Sequence, residues 1–278
     1  KLLCLLFPTV RQFTANYLEH ARAGLWEDSR AALKPLNLNS RAHILDVGAG
    51  SGELSTVLRA ESNAPVTCMD ADKSLLKTTA STSMLTPVLG DAYQLPFKQN
   101  SFELVICQAL LVNLQNPAHA LRQFADISID HVAAIEPDNR AVNVASTVES
   151  EVSVEHRART AYIAGVETDI TLGSQLTDLF SATGLQSVNT RTQYHYKVIE
   201  PPYSETEFNA AARKASGRAI SEKKRELQRV LSVNAYDQLR NDWRAMGREV
   251  VNQMQSDSYR RTEVVPYTVA VGTVSEDM

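Results

Sequence analysis

Asp46-Val47-Gly48-Ala49-Gly50-Ser51-Gly52 is the stretch from which the fold is read. It follows a short apolar run, His43-Ile-Leu-Asp-Val47, and precedes Leu54-Ser-Thr-Val-Leu58, which reads as helical. A strand that turns sharply into a helix while lying close against a ligand needs glycines. They permit positive φ and carry no Cβ to block the approach. The helix start beyond the turn presents unpaired amides and a partial positive charge.

Outward from this turn, strand-like and helix-like runs alternate. Val66–Asp70 reads as a strand, Lys73–Thr79 as a helix and Pro87–Asp91 as a strand. Phe102–Cys107 is another strand, Ala118–Ile127 a helix and His131–Glu136 a strand. Such alternation over about 100 residues implies βαβ units and a mostly parallel sheet. Acidic residues close two of these strands. Asp70 stands 22 residues after Gly48, where a carboxylate can accept from both ribose hydroxyls of an adenosine ligand. Asp91, in Gly90-Asp91-Ala92, can accept from an adenine amine. Ligands of open α/β sheets bind at such strand ends.

DVGAGSG, VTCMDAD, GDAYQLPF and SFELVICQALL, in this order, resemble the class I S-adenosylmethionine-dependent methyltransferases, in particular their methyltransferase domain 11-like branch. The likeness is close over residues 40–137. It implies an α/β, Rossmann-like, seven-stranded and mostly parallel sheet in the order 3-2-1-4-5-7-6. The last strand is antiparallel, helices cover both faces, and a helical lid is inserted. The cofactor it implies is S-adenosyl-L-methionine, with S-adenosyl-L-homocysteine as product. By position, Gly48, Ala49 and Gly50 would face the methionine part and ribose, with Asp46 orienting their loop. Asp70 would hold the ribose and Ala71 pack beside the adenine. Asp91 and the Ala92 amide would bind the adenine, and Gln108 would lie near the transferable methyl. The same likeness would fold an N-terminal helix with Tyr17 and Trp26 over the cofactor. A nicotinamide-dependent dehydrogenase is disfavoured, since its third glycine would fall at 53, where the chain has Glu53.

The domain reading is a helical cap over 1–39, a core over 40–200 and 263–278, and a helical lid over 201–262. Residues 11–36 read as helical, with Pro35 as a stop. Leu185–Ile199 and Val264–Val274 read as the last two strands. In the lid, Ser204-Glu-Thr-Glu207 is a capping box. Leu239, Trp243, Met246, Val250 and Met254 form an apolar stripe expected to be core.

The chain has 278 residues, 44% of them hydrophobic, and a formal net charge of -4. With a pI near 5.9, wholesale nucleic-acid or membrane binding is disfavoured. No apolar run approaches the roughly 20 residues a spanning helix needs. Lys1–Phe7 is too short an apolar run for a signal peptide and reads as the opening turns of a packed helix or an arbitrary chain boundary. Three cysteines without paired spacing fit reduced, buried thiols in a cytoplasmic protein, and the scattered histidines give no metal site. Residues 201–262 carry a charge of about +4 against about -8 for the rest. Arg213, Lys214, Arg218, Lys223, Lys224, Arg225 and Arg229 cluster there. They read as a solvated face laced with Glu222 and Glu226, with an anionic acceptor or RNA as the sharper alternative.

The expected acceptor is a small molecule. A non-catalytic regulatory or scaffolding protein and an RNA methyltransferase remain the other readings. Glu136, Asp138 and His195 are candidates for a general base where the acceptor must lose a proton. Cys107-Gln108-Ala109-Leu110 stands where methyltransferases of base amines carry Asn/Asp-Pro-Pro-aromatic. Glu200-Pro-Pro-Tyr203 lies too far downstream to replace it and is expected to stiffen the entry into the lid.

Overall fold

The protein was analysed as a computed structural model, which describes residue 26, residues 30–80 and residues 85–275. The helix expected over 11–36 falls mostly outside these residues, as does Tyr17. Where it is described, Arg30–Leu36 is a 3-10 turn. Pro35 lies inside it and can neither donate an α-helical hydrogen bond nor leave room for the carbonyl four residues back.

The chain divides into two compact units. The first comprises residues up to 137, 172–193 and 267 onward, and the second 138–171 and 194–266. In the first, β1 (Ile44–Val47) pairs in parallel with β2 (Val66–Asp70) and with β4 (Phe102–Gln108). β2 in turn pairs with β3 (Leu85–Leu89), and β4 with β5 (Ser128–Pro137), all parallel. The second half of β8 (Arg261–Thr273) lies antiparallel to β5, and β7 (Gln186–Ile199) pairs with β8. This is the expected 3-2-1-4-5-7-6 order with one strand more. The addition is β6 (Asn143–Ser146), which pairs antiparallel with the first residues of β8 in the second unit.

Helices α1 (Glu53–Ser62), α2 (Lys73–Ala80) and α3 (Pro117–Ile127) connect the parallel strands. The start of α3 follows from its sequence: the Asn116 side chain accepts from the His119 amide, and proline occupies the first turn. The central strands are apolar on both faces, as parallel strands covered by helices must be. Alternate residues therefore enter two cores. Ile44, Leu104 and Ile106 pack with Leu33, Leu36, Leu54 and Leu58. Leu45, Val47, Val105 and Cys107 pack with Leu121, Phe124, Leu176 and Phe180, the last two from α5 (Leu176–Ala182).

The second unit has its own core. It is built on α4 (Glu149–Gly165), α6 (Glu205–Ser216), the short α7 (Arg218–Ser221) and α8 (Lys224–Leu227), and α9 (Val233–Gln255). Both halves of the Ser204/Glu207 capping box are made. Leu239, Trp243, Met246, Val250 and Met254 are all buried in this core, as their spacing predicts. Beside it runs an ion-pair network. Lys214 on α6 bridges Glu151 and Glu155 of α4, the latter at 2.7 Å. Arg261 reaches Glu155 at 2.8 Å and Glu263 at 2.6 Å, and the Tyr259 hydroxyl donates to Glu151. Burial by itself would raise the Glu155 carboxyl, but Lys214 and Arg261 outweigh it and hold the group at about 2. Among the described residues no helix is long and apolar enough to cross a membrane.

Candidate functional site

Strand register brings the sequence-chosen residues to one edge of the sheet. Val47 lies beside Met69 on one side and Cys107 on the other, so Gly48, Asp70 and Gln108 all leave from neighbouring C-terminal strand ends. The Gly90 amide donates to the Asp70 carbonyl at 3.1 Å, which sets Asp91 next in the row.

The turn itself is the most constrained part of the site. Gly48, Gly50 and Gly52 have φ of 71°, 59° and 85°, a region in which side chains are costly. The Gly48 and Ala49 amides both donate to the Met69 carbonyl, at 2.7 and 3.0 Å. The Gly50 amide donates to Asp70 Oδ2 at 2.8 Å, and the Asp72 amide donates to Asp70 Oδ1. Asp70 therefore ties the glycine turn to the end of β2. Asp46 is buried and accepts from the Ser55 hydroxyl at 2.6 Å, which fixes the first turn of α1 to β1. Thr79 Oγ1 donates to the Gly50 carbonyl at 3.1 Å. Ser55 and Thr79 escaped the sequence reading. Their only signal was a polar residue on the inward face of a short amphipathic helix.

Ala71 is exposed, Ala92 buried and Gln108 buried at the end of β4. Asp91 accepts from the Tyr93 amide at 2.9 Å, and Tyr93 stacks on His119 with ring centroids 5.5 Å apart. Trp26 is buried among Leu33, Leu36 and Ala49, edge-on to Tyr267.

Of the base candidates, only Glu136 belongs to the first unit, and its carboxylate is engaged. It accepts from the amides of Leu110 at 3.0 Å, Leu111 at 2.8 Å and Val112 at 3.4 Å. Burial pushes the adjacent Cys107 thiol well up, and the charge of Glu136 adds to this. Asp138 and His195 lie in the second unit, where Asp138 accepts from the Arg140 amide. Tyr203, of the Pro-Pro-Tyr sequence, also belongs to the second unit and donates to the Tyr259 carbonyl at 2.9 Å.

The basic cluster of the second unit is occupied by its own neighbours. Arg213 and Arg218 both reach Glu222, Arg225 and Arg229 both reach Glu167, and Lys214 is in the buried network. Lys223 sits over the Tyr162 ring and Lys224 over Tyr236. The solvated-face reading holds for the exposed members of this cluster, with Glu167 as a partner it did not name, and fails for Lys214, which pairs with buried Glu151 and Glu155.

Could the turn hold the expected cofactor? The positive-φ glycines put no Cβ at the strand end, and Asp70 beside them is only half-buried. A half-buried carboxylate, which only accepts, is the kind of group that takes hydrogen bonds from the two hydroxyls of a diol. The residues fit.

A glycine turn after the first strand, acidic ends on the next two, and an antiparallel strand inserted beside the fifth define the class I methyltransferase fold. Residues 45–129 match the family model described as a methyltransferase domain, and the chain carries a domain of that family. A Bacillus halodurans structure, described as a methyltransferase by inference, aligns over 89% of this chain and 98% of its own, at 13% identity and a TM-score of 0.52. The YcgJ protein of Bacillus subtilis aligns over 87% of this chain and 96% of its own, at 13% identity and a TM-score of 0.49. Phosphoethanolamine N-methyltransferase 2 of Haemonchus contortus, in complex with phosphomonomethylethanolamine and S-adenosylhomocysteine, aligns over 87% of this chain and 52% of its own. Its identity is 16% and its TM-score 0.45. No curated protein sequence matches the chain.

Proposed function

We propose that the protein transfers a methyl group from S-adenosyl-L-methionine to a small-molecule acceptor. The observation that carries this reading is the Gly48–Gly52 turn tied through the Gly50 amide to Asp70, at an edge that also holds Asp91 and Gln108. In the proposal the turn faces the methionine part and ribose, Asp70 accepts from the ribose hydroxyls, and Asp91 with the Ala92 amide reads the adenine. The cofactor supplies an activated methyl group on a sulfonium. What this chain contributes is alignment of acceptor and methyl and exclusion of water. Glu136 is committed to three backbone amides, so an acceptor whose nucleophile needs no buried carboxylate as base suits the first unit best. An anionic or nucleic-acid acceptor draws little support, because the seven clustered cations are already paired or stacked. The lid role of residues 201–262 and a cytoplasmic location belong to the same proposal. The latter rests on buried, unbridged Cys68 and Cys107.

The test is calorimetric titration of the protein and of Asp70→Ala with S-adenosylhomocysteine. Micromolar binding by the protein, weakened 10-fold or more in the variant, or about 1.4 kcal/mol, supports the site. A folded protein that binds nothing would make a non-catalytic regulatory role the better reading.

A further inference from the structure

Glu136 is fully buried at the end of β5, and the sequence offered it as a base. Its oxygens are instead directed at the chain that leaves β4. Oε1 accepts from Leu110 and Leu111, and Oε2 accepts from Val112. Three amides on one buried carboxylate hold a segment far more firmly than water could, since each hydrogen bond to a charged acceptor is roughly twice as strong as a neutral one.

The segment needs such holding. Ala109, between Gln108 and Leu110, has φ of 48°, a left-handed conformation that costs a residue with a Cβ about 1–2 kcal/mol. The Ala109 amide donates to the Ile135 carbonyl at 2.8 Å, and the Asn113 side chain donates to the Ala109 carbonyl at 2.7 Å. This reversal carries the Leu110 side chain back onto the glycine turn. A Cβ placed on Gly48 would stand 2.9 Å from Leu110 Cδ1. A chain that left β4 without the reversal would not bring Leu110 there.

We infer that Glu136 is a positioning residue, which holds Ala109 in its left-handed conformation and thereby seats Leu110 against Gly48 to form one wall of the cofactor turn. This rests on the cofactor reading above only in its last step, from wall to ligand. The observed amide contacts of the Glu136 carboxylate are with the chain leaving β4. It acts through the Ala109–Val112 backbone.

The experiment compares the protein with Glu136→Gln and Glu136→Ala. Hydrogen exchange at the Leu110 and Leu111 amides is measured without ligand, alongside titration with S-adenosylhomocysteine. The glutamine variant keeps one acceptor oxygen, whereas alanine keeps none. Exchange at both amides should accelerate at least 10-fold in Glu136→Ala and by an intermediate factor in Glu136→Gln. Amides of β1 and β2 should keep their protection. S-adenosylhomocysteine affinity should fall in the same graded order, about 10-fold for alanine. A role confined to global stability would speed exchange across the sheet and leave the affinity of the folded fraction unchanged, which overturns the inference. Unchanged exchange at Leu110 and Leu111 overturns it also. If the alanine variant does not fold, the glutamine variant decides by the same two readings. If the unmodified protein binds no S-adenosylhomocysteine while the two amides still respond, the cofactor reading fails and the hold of Glu136 on the segment stands.

Discussion

The amide of Gly50 donates to Oδ2 of Asp70 at 2.8 Å, so the carboxylate proposed to grip a ribose is also a brace for the turn that would face the methionine. The same side chain accepts from Asp72 through its other oxygen. Ligand contact and loop geometry are thus joined in one residue, and a substitution at Asp70 acts on both.

Asp70→Asn separates the two roles. The amide keeps an oxygen for one backbone donor, but its NH2 group faces the other donor, leaving one N–H without an acceptor. Because the site is only half-buried, the cost should lie near the low end of the usual range, about 1 kcal/mol. Urea unfolding without ligand should show that loss. An Asn variant as stable as the protein itself would mean that the Gly50 contact does not brace the turn.

Gly48→Ala tests the turn from the other side. The new methyl group must accept φ of 71° and stand 2.9 Å from Leu110 Cδ1. Left-handed backbone alone costs about 1–2 kcal/mol, and displacement of Leu110 should weaken S-adenosylhomocysteine binding further. Gly90 provides the contrast, since its φ is not positive and its Cβ would meet the Met69 side chain, at 2.6 Å from Sδ, with Pro96 Cδ at 3.4 Å. Methionine adapts readily. The stability loss of Gly90→Ala, read by thermal melting, should be smaller than that of Gly48→Ala. The reverse ranking would mean that sulfur contact outweighs backbone strain here.

Much of this was legible in the chain. The glycine turn, the acidic strand ends and the continuous apolar strands each have a local cause, and the structure puts them in the expected order. What stayed hidden depended on contacts distant in sequence. β6 has four residues, Asn143–Ser146, too few for a period to be read. Glu136 looked like any acid at a strand end, because its partners Leu110–Val112 lie about 25 residues upstream and offer only backbone. Lys214 was grouped with exposed cations, although its partners Glu151 and Glu155 are some 60 residues away. Pairing across such separations leaves no local pattern.

That network gives a pH prediction. Glu155 is held at about 2 in the folded chain, below its ordinary value of 4.5. Its contribution to stability is therefore complete above about pH 4.5 and is lost as pH falls from there through 2. Lys214→Met removes the cation and leaves Glu151 and Glu155 buried with fewer partners. Breaking a buried pair on one side typically costs about 3–5 kcal/mol. At pH 7 the variant should be less stable by that order, and its loss of stability between pH 4.5 and 2 should be shallower. Equal acid slopes for both proteins in urea titrations would show that Lys214 does not set the Glu155 carboxyl.

Gly247→Ala should also destabilise the second unit, against the trend of helix propensity. Gly247 lies inside α9, where alanine would ordinarily gain about 1 kcal/mol. Its Cβ, however, would stand 2.3 Å from the Ala215 backbone nitrogen and 2.4 Å from the Lys214 carbonyl carbon. Backbone cannot turn aside as a side chain can, so α6 and α9 must move apart. Overpacking of this kind costs about 1–3 kcal/mol, enough to cancel the propensity gain and reverse the sign. The displaced residue is Lys214 itself, so the shift also draws its ammonium away from Glu151 and Glu155. The net loss in urea unfolding, overpacking less propensity gain, is expected to reach up to about 2 kcal/mol. Combining Gly247→Ala with Lys214→Met should cost less than the sum of the two single changes, because the network is already broken. Full additivity would mean that the helix contact and the ion pairs are energetically separate.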